Sequence, residues 1–217
     1  MVPSREPSPM VRRDLSSATD LSTGVRYGTS TGLIEFTVPT SSWFHFGGDE
    51  IQKDISVALA QRGERPTATI MFAEASPDGV YGDPCGHLRR DPVGRTTETD
   101  HMDDRLQHSA DLAAALATIP GTNLIEAPSD VTVGELPAKH VVLSVRTDIT
   151  CAGAFYLWYD WDRPSRSAPP GETIRIWIVD YLRFGMRFWI EAKTPKGAAP
   201  ELDQEIQQIV DSIGFAG

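Results

Sequence analysis

Two cysteines, five histidines and a scatter of carboxylates are the side chains of this sequence with chemistry to offer. Cys85 and Cys151 either pair in an oxidising compartment or stand as two unpaired thiols in a reducing one. Asp83, Cys85 and His87, with His101, Asp103 and Asp104 further along, carry the thiolate, imidazole and carboxylate groups that zinc accepts. Their spacing matches no zinc finger, and polar residues solvating a loop are the plainer reading. Nucleophilic catalysis needs a Ser or Cys within reach of a His that a carboxylate orients. His45, His87, His101, His108 and His140 meet no G-x-S-x-G turn, and His140, near the start of an expected strand, reads as structural. Asp160 and Asp162 share a face of an extended chain, as an acid/base pair would, but interleaved with aromatics they read as a solvated edge. The sequence has no glycine-rich phosphate loop, and no cofactor is expected.

The strongest signal is aromatic. Phe155 to Trp161 (FYLWYDW) sets five aromatics in seven residues, and a strand there would present them on both faces. Tyr156, Trp158, Tyr159 and Trp161, joined by Trp177 and Trp189 from a later hairpin, are the candidate lining of a groove for an apolar ligand, a glycan or a protein partner. The competing reading buries every Trp between a sheet and helices on both its faces.

The elements that must position these residues follow from pattern. Leu33 to Val38 and Thr67 to Phe72 read as strands, with Pro39 and the Ser76-Pro77-Asp78-Gly79 turn as stops. Residues 51 to 59 fit neither period. Residues 83 to 105 hold almost no apolar side chain and read as a long loop. Ser109 is placed to cap a helix carrying Leu112, Leu116 and Ile119, stopped by Pro120-Gly121. Strands are expected around Val131 to Val133 and from Lys139 to Arg146. Residues 174 to 191 alternate, with Ile174, Ile176, Ile178, Met186, Phe188 and Ile190 on one expected face, and are too long for a single strand of ~5–6 residues, so a hairpin turning near 180–183 is expected. Leu202, Ile206, Ile209, Val210 and Ile213 make the apolar stripe of a closing helix. The order argues for an α+β fold, an antiparallel sheet flanked by helices.

Composition bounds the partners. With 30 acidic against 20 basic residues the net charge is -10, which repels phosphate backbones and anionic headgroups, so nucleic acid and membrane surfaces are not expected partners. No stretch reaches the ~20 apolar residues that cross a bilayer. Residues 1–30 start as a polar, Pro- and Ser-rich segment expected to be a flexible, disordered tail, with a single domain over 31–217.

Several phrases together resemble a known family: FTVPTSSW (Phe36 to Trp43), DPC (Asp83 to Cys85), DLAAALATIPG, DVTVGELPAKHVVLSV, Cys151 ahead of YLW, IRIWIVD and the closing IVDSI. In this order, over Gly32 to Phe215, they are similar to secreted or lipid-anchored actinobacterial domains of the PsbP-like, LpqN-type fold. The resemblance implies an antiparallel sheet with flanking helices, no catalytic residues, and a disulfide between Cys85 and Cys151, which in the chain-entropy picture is worth roughly 3–4 kcal/mol. It makes a non-catalytic binding module of the cell envelope the leading expectation. A hydrolase or metal-dependent enzyme using the 83–108 loop, and a cytoplasmic interaction domain, are the alternatives. Residues 1 to 20 show no secretion signal or lipobox cysteine, so the envelope assignment supposes an anchor removed from this chain.

Overall fold

β-Branched and aromatic residues alternate with polar ones along much of the chain, and in a strand alternation sends successive side chains to opposite faces. A computed structural model shows the resulting fold, describing residues 12–54, 67–75, 77, 79–86, 89–90, 96–97, 101–102, 108–159, 167–181 and 186–216, with backbone alone at 89–90, 96–97, 101–102 and 159. Among these residues the elements run β1 (Arg12–Asp14), a 3-10 turn (Leu15–Ser17), β2 (Arg26–Gly28), β3 (Ile34–Thr37), β4 (Trp43–Gly47), β5 (Glu50–Asp54), β6 (Thr67–Ala73), β7 (Gly79–Tyr81), β8 (Arg89–Arg90), β9 (Thr96–Thr97), β10 (His101–Met102), α1 (Ser109–Leu116), β11 (Thr122–Val133), β12 (Leu136–Val145), β13 (Trp158–Tyr159), β14 (Thr173–Tyr181), β15 (Met186–Thr194), α2 (Pro200–Asp211) and β16 (Gly214–Phe215). This is the sheet-rich α+β arrangement expected.

The centre is a seven-stranded antiparallel sheet in the order β11-β12-β14-β15-β6-β5-β4, with smaller sheets β1-β2-β3-β16 and β10-β7-β13 and the β8-β9 pair around it. Each face of the large sheet buries its own core. On one, α2 lays Leu202, Ile206, Ile209 and Val210 against Ile70, Phe72, Trp177 and Phe188, with Ile34 and Phe36 of β3 beside them. On the other, α1 brings Leu112, Ala113 and Leu116 against Val141, Leu143, Ile174, Ile176 and Trp189, with Val80 and Trp158. The helices therefore stand on opposite faces, and strands between them have no solvated side.

The β14–β15 hairpin departs from the alternation expected of it. Tyr181 pairs with Met186, Val179 with Phe188, Trp177 with Ile190 and Ile176 with Glu191, so even positions before the turn share a face with odd positions after it. Partners opposite one another in an antiparallel pair lie on the same face. Ile174, Ile176 and Ile178 thus join Trp189 in the α1 core, while Phe188 and Ile190 cross to the α2 core. The connecting residues, 182–185, lie outside the described residues.

Two expected features meet a different arrangement. Residues from 12 on, expected within a flexible tail, pack into the fold: Leu15, Leu21 and Tyr27 are fully enclosed in the α2 core, and Arg12 pairs with Glu35 at 3.1 Å. Residues 1–11 lie outside the described residues. The cap of α1 is His108, and the Ser109 hydroxyl instead donates to Asp180 Oδ2 at 2.7 Å, tying the helix to the end of β14.

The edges of the large sheet differ. Along β4, His45 N donates to Thr19 O and Leu21 N to Trp43 O, both at 2.9 Å, and Asp20 bridges to Phe44. Along β11 residues 123–130 are all exposed, Leu124 and Ile125 among them, and the ladder to β12 is broken at Leu124/Glu126 and Glu126/Ser129. No helix among the described residues is long and apolar enough to cross a membrane.

Candidate functional site

Small apolar residues that follow no period cannot form a strand or helix face, and the stretch around Cys151 is of that kind. Residues 149–155 run irregularly from the end of β12 towards β13 and face the Ser167–Pro170 segment, and together they wall an apolar cleft of about 400 Å³. Three local devices hold the walls. Cys85 and Cys151 form a disulfide, Cα atoms 5.1 Å apart, across 66 positions of sequence; the Cys85 side sits on a turn in which Asp83 Oδ1 accepts from the amides of Cys85 (3.1 Å) and Gly86 (3.0 Å). Ala168 N donates to Phe155 O at 3.0 Å, joining wall to wall. Gly121, with φ of 82°, lets the Phe155 ring lie so close that a Cβ there would meet its Cε2 at 2.7 Å.

Behind the Ser167 wall lies a buried charge cluster. Lys193, Glu191 and Glu172 are 7%, 1% and 9% exposed, in a region where an unpaired charge is heavily penalised. Lys193 Nζ meets Glu191 Oε1 at 3.0 Å, donates to the Ser167 carbonyl at 3.2 Å and stands 5.8 Å from the centroid of the Trp158 ring. Glu191 Oε2 accepts from Trp189 Nε1 at 3.1 Å. Glu172 is held by its backbone, its amide donating to Pro169 O and its carbonyl accepting from Val145 N, but its Oε2 has no hydrogen-bond partner among the described residues. Lys193 pairs with Glu191, and Glu172 feels its charge without an ion pair to it. Burial pushes the Glu172 carboxyl up to about 7; Lys193 pulls it down and Glu191 pushes it further up. Such a group can carry or release a proton near neutrality.

Among the described residues the tryptophans expected to line an aromatic groove are core instead. Trp158, Trp177 and Trp189 are 2%, 2% and 0% exposed, and Trp177 lies on the opposite face from the other two. Helices on both faces leave these rings nowhere to surface. Trp158 and Trp189 do meet, edge to face at 5.1 Å, as the roof and side of the charge cluster. Tyr156 is half-buried against Tyr81, ring centroids 6.5 Å apart. The Tyr159 side chain and all of Trp161, Asp160 and Asp162 lie outside the described residues, as do His87, Asp103, Asp104 and the side chain of His101. The Cys85 sulfur is bonded to Cys151 and is no free thiolate. His140 stacks on Trp177 at 4.7 Å, with Glu126 at 3.7 Å from Nδ1.

The cleft and cluster were missed by sequence reasoning. Their only signals were the irregular ITCAGAF run around Cys151 and the charged pair Glu191 and Lys193, two apart in the strongly apolar β15.

No protein-family model matches the chain, and no curated protein does. Solved structures with a similar chain path include a protein from Bacteroides thetaiotaomicron, 10% identical over 90% of this chain and 50% of the other, at a TM-score of 0.41. Others are the cyanobacterial PsbP (CyanoP) of Synechocystis, 11% identical over 91% and 94% of the two chains at 0.41, and the Ran-binding protein Mog1p of Saccharomyces cerevisiae, 10% identical over 90% and 96% at 0.41. The chain spans half the length of the first of these. At a TM-score of 0.41 such likeness brings neither ligand nor activity to this chain.

Proposed function

We propose that this protein is a non-catalytic binding module that seats a small apolar ligand in the cleft between residues 149–155 and 167–170. The observation that carries the reading is the cleft itself, apolar in lining, about 400 Å³ in volume and braced by the Cys85–Cys151 bond. That volume lies within the range of small-molecule sites, ~300–1,000 Å³. A structural disulfide persists where conditions are oxidising, which favours work outside the cytoplasm, in or beneath a cell envelope, as the PsbP-like resemblance also implies. A protein partner is the second reading, favoured by the exposed Leu124 and Ile125 on the open β11 edge. The test is titration with the uncharged fluorophore N-phenylnaphthylamine. The wild type is expected to bind it saturably, and Ala154→Trp, which fills the mouth from an exposed position, to abolish binding without lowering stability. Equal binding by both proteins overturns the cleft as the seat.

A further inference from the structure

We infer that the cleft is gated by protonation: Glu172, Glu191 and Lys193 form a latch that holds the Ser167–Pro170 wall closed while Glu172 carries its proton and loosens it when that proton leaves. This deepens the binding reading above and rests on it for the ligand, though not for the latch itself.

Lys193 Nζ serves Glu191 Oε1 at 3.0 Å and the Ser167 carbonyl at 3.2 Å at the same time. Ser167 lines the cleft, and its neighbour Ala168 is bonded to Phe155 on the opposite wall; at the far end Gly171 N donates to Val145 O of β12 at 2.8 Å, so the Lys193 bond is the side-chain anchor of the wall to the sheet beside these backbone bonds. With Glu172 neutral the cluster is balanced, one carboxylate against one ammonium, and the Lys193 bond to Ser167 is undisturbed. When Glu172 ionises, a second negative charge stands in a region 9% or less exposed with its Oε2 unmet among the described residues. An uncompensated buried charge is resolved by recruiting a donor or by admitting water. The donor at hand is Lys193, taken from Ser167; the route for water is past the wall. Both loosen the same segment.

Among the described residues the groups facing Glu172 are few. From β15 they are Lys193 and Glu191; the Ser167–Gly171 segment brings none with charge, and β12 brings Ser144 and Val145 alongside. Lys196, beyond β15, lies against Gly171 but is exposed to solvent. Among the described residues the balance is set by the three buried groups, and the Glu172 proton, bound up to about pH 7, changes it in the range where cells and their surroundings differ.

Titration of the full chain with N-phenylnaphthylamine from about pH 5 to about pH 9 tests this. Binding by the wild type is expected to weaken roughly tenfold across the range, equivalent to one pK unit of coupling, while Glu172→Gln keeps the low-pH affinity throughout. A flat wild-type profile, or the same slope in Glu172→Gln, overturns the gate. Should the fluorophore bind at no pH, the cleft reading fails, and the latch is judged by amide hydrogen exchange. Protection of Ala168 and Glu172, corrected for intrinsic rates, is expected to fall with rising pH in the wild type and to stay level in Glu172→Gln. Unchanged protection in the wild type overturns the latch.

Discussion

Glu172 and His140 give the molecule opposing responses to pH. The Glu172 carboxyl, raised from 4.5 to about 7 by burial, is protonated in both folded and unfolded chains at low pH and then has no effect. Between those values the unfolded chain sheds the proton and the fold keeps it, so stability falls as pH rises, by roughly 3 kcal/mol at 1.36 kcal/mol per unit, and levels off above. Urea unfolding over this range is expected to show the decline in the wild type and its loss in Glu172→Gln, which should be the more stable protein at pH 8. His140 runs the other way. Burial holds it below 6.5 and Arg175 adds to this, while Glu126 opposes. A depressed imidazole keeps its contribution above 6.5 and loses it as pH falls through that value, because the unfolded chain then takes up a proton that the fold resists. His140→Phe, which keeps the stacking on Trp177, is expected to remove that acid-side decline in the same urea series. Of these two residues the sequence marked His140 as structural and passed over Glu172, since a lone Glu after Pro-Pro-Gly reads as loop surface until the neighbouring strands are known to bury it.

At the scale of elements, what was legible was periodicity and what was not was parity. Thr67–Ala73 alternates between half-buried and buried along its length, and α2 buries Leu202, Ile206, Ile209 and Val210, both as their spacing requires. The hairpin of β14 and β15 was expected, but its apolar residues were assigned to one face because alternation alone cannot report how a turn shifts the phase. Three tryptophans went from groove to core for a related reason: one sequence does not say whether the second face of a sheet is covered. The cleft walls had no period to find, and their order depends on the Cys85–Cys151 bond and a few backbone hydrogen bonds. Reduction with a dithiol is therefore expected to lower stability by roughly 3–4 kcal/mol in the chain-entropy picture, measured by urea unfolding, and to abolish fluorophore binding while far-ultraviolet circular dichroism stays unchanged. Binding that survives full reduction would show that the walls stand without the bond.

Taken whole, the molecule is a two-faced sheet whose strands belong to two cores, and its first described residues do more than thicken one of them. The backbone bonds from Thr19 and Leu21 to β4 close one rim of the large sheet, while β11 leaves the other open, roughened by its two irregularities, by Pro128 and by the charges of Glu126 and Asp130. A sheet open at one rim can add a single copy of itself, rim to rim, and there the addition stops; a sheet open at both can grow without end. A chain starting at residue 31 is expected to lose Leu15, Leu21 and Tyr27 from the core and to bare the β4 rim, and light scattering should show it polymerising where the full chain does not. The segment that reads as a flexible tail would then be the stopper that keeps this protein from becoming a fibre.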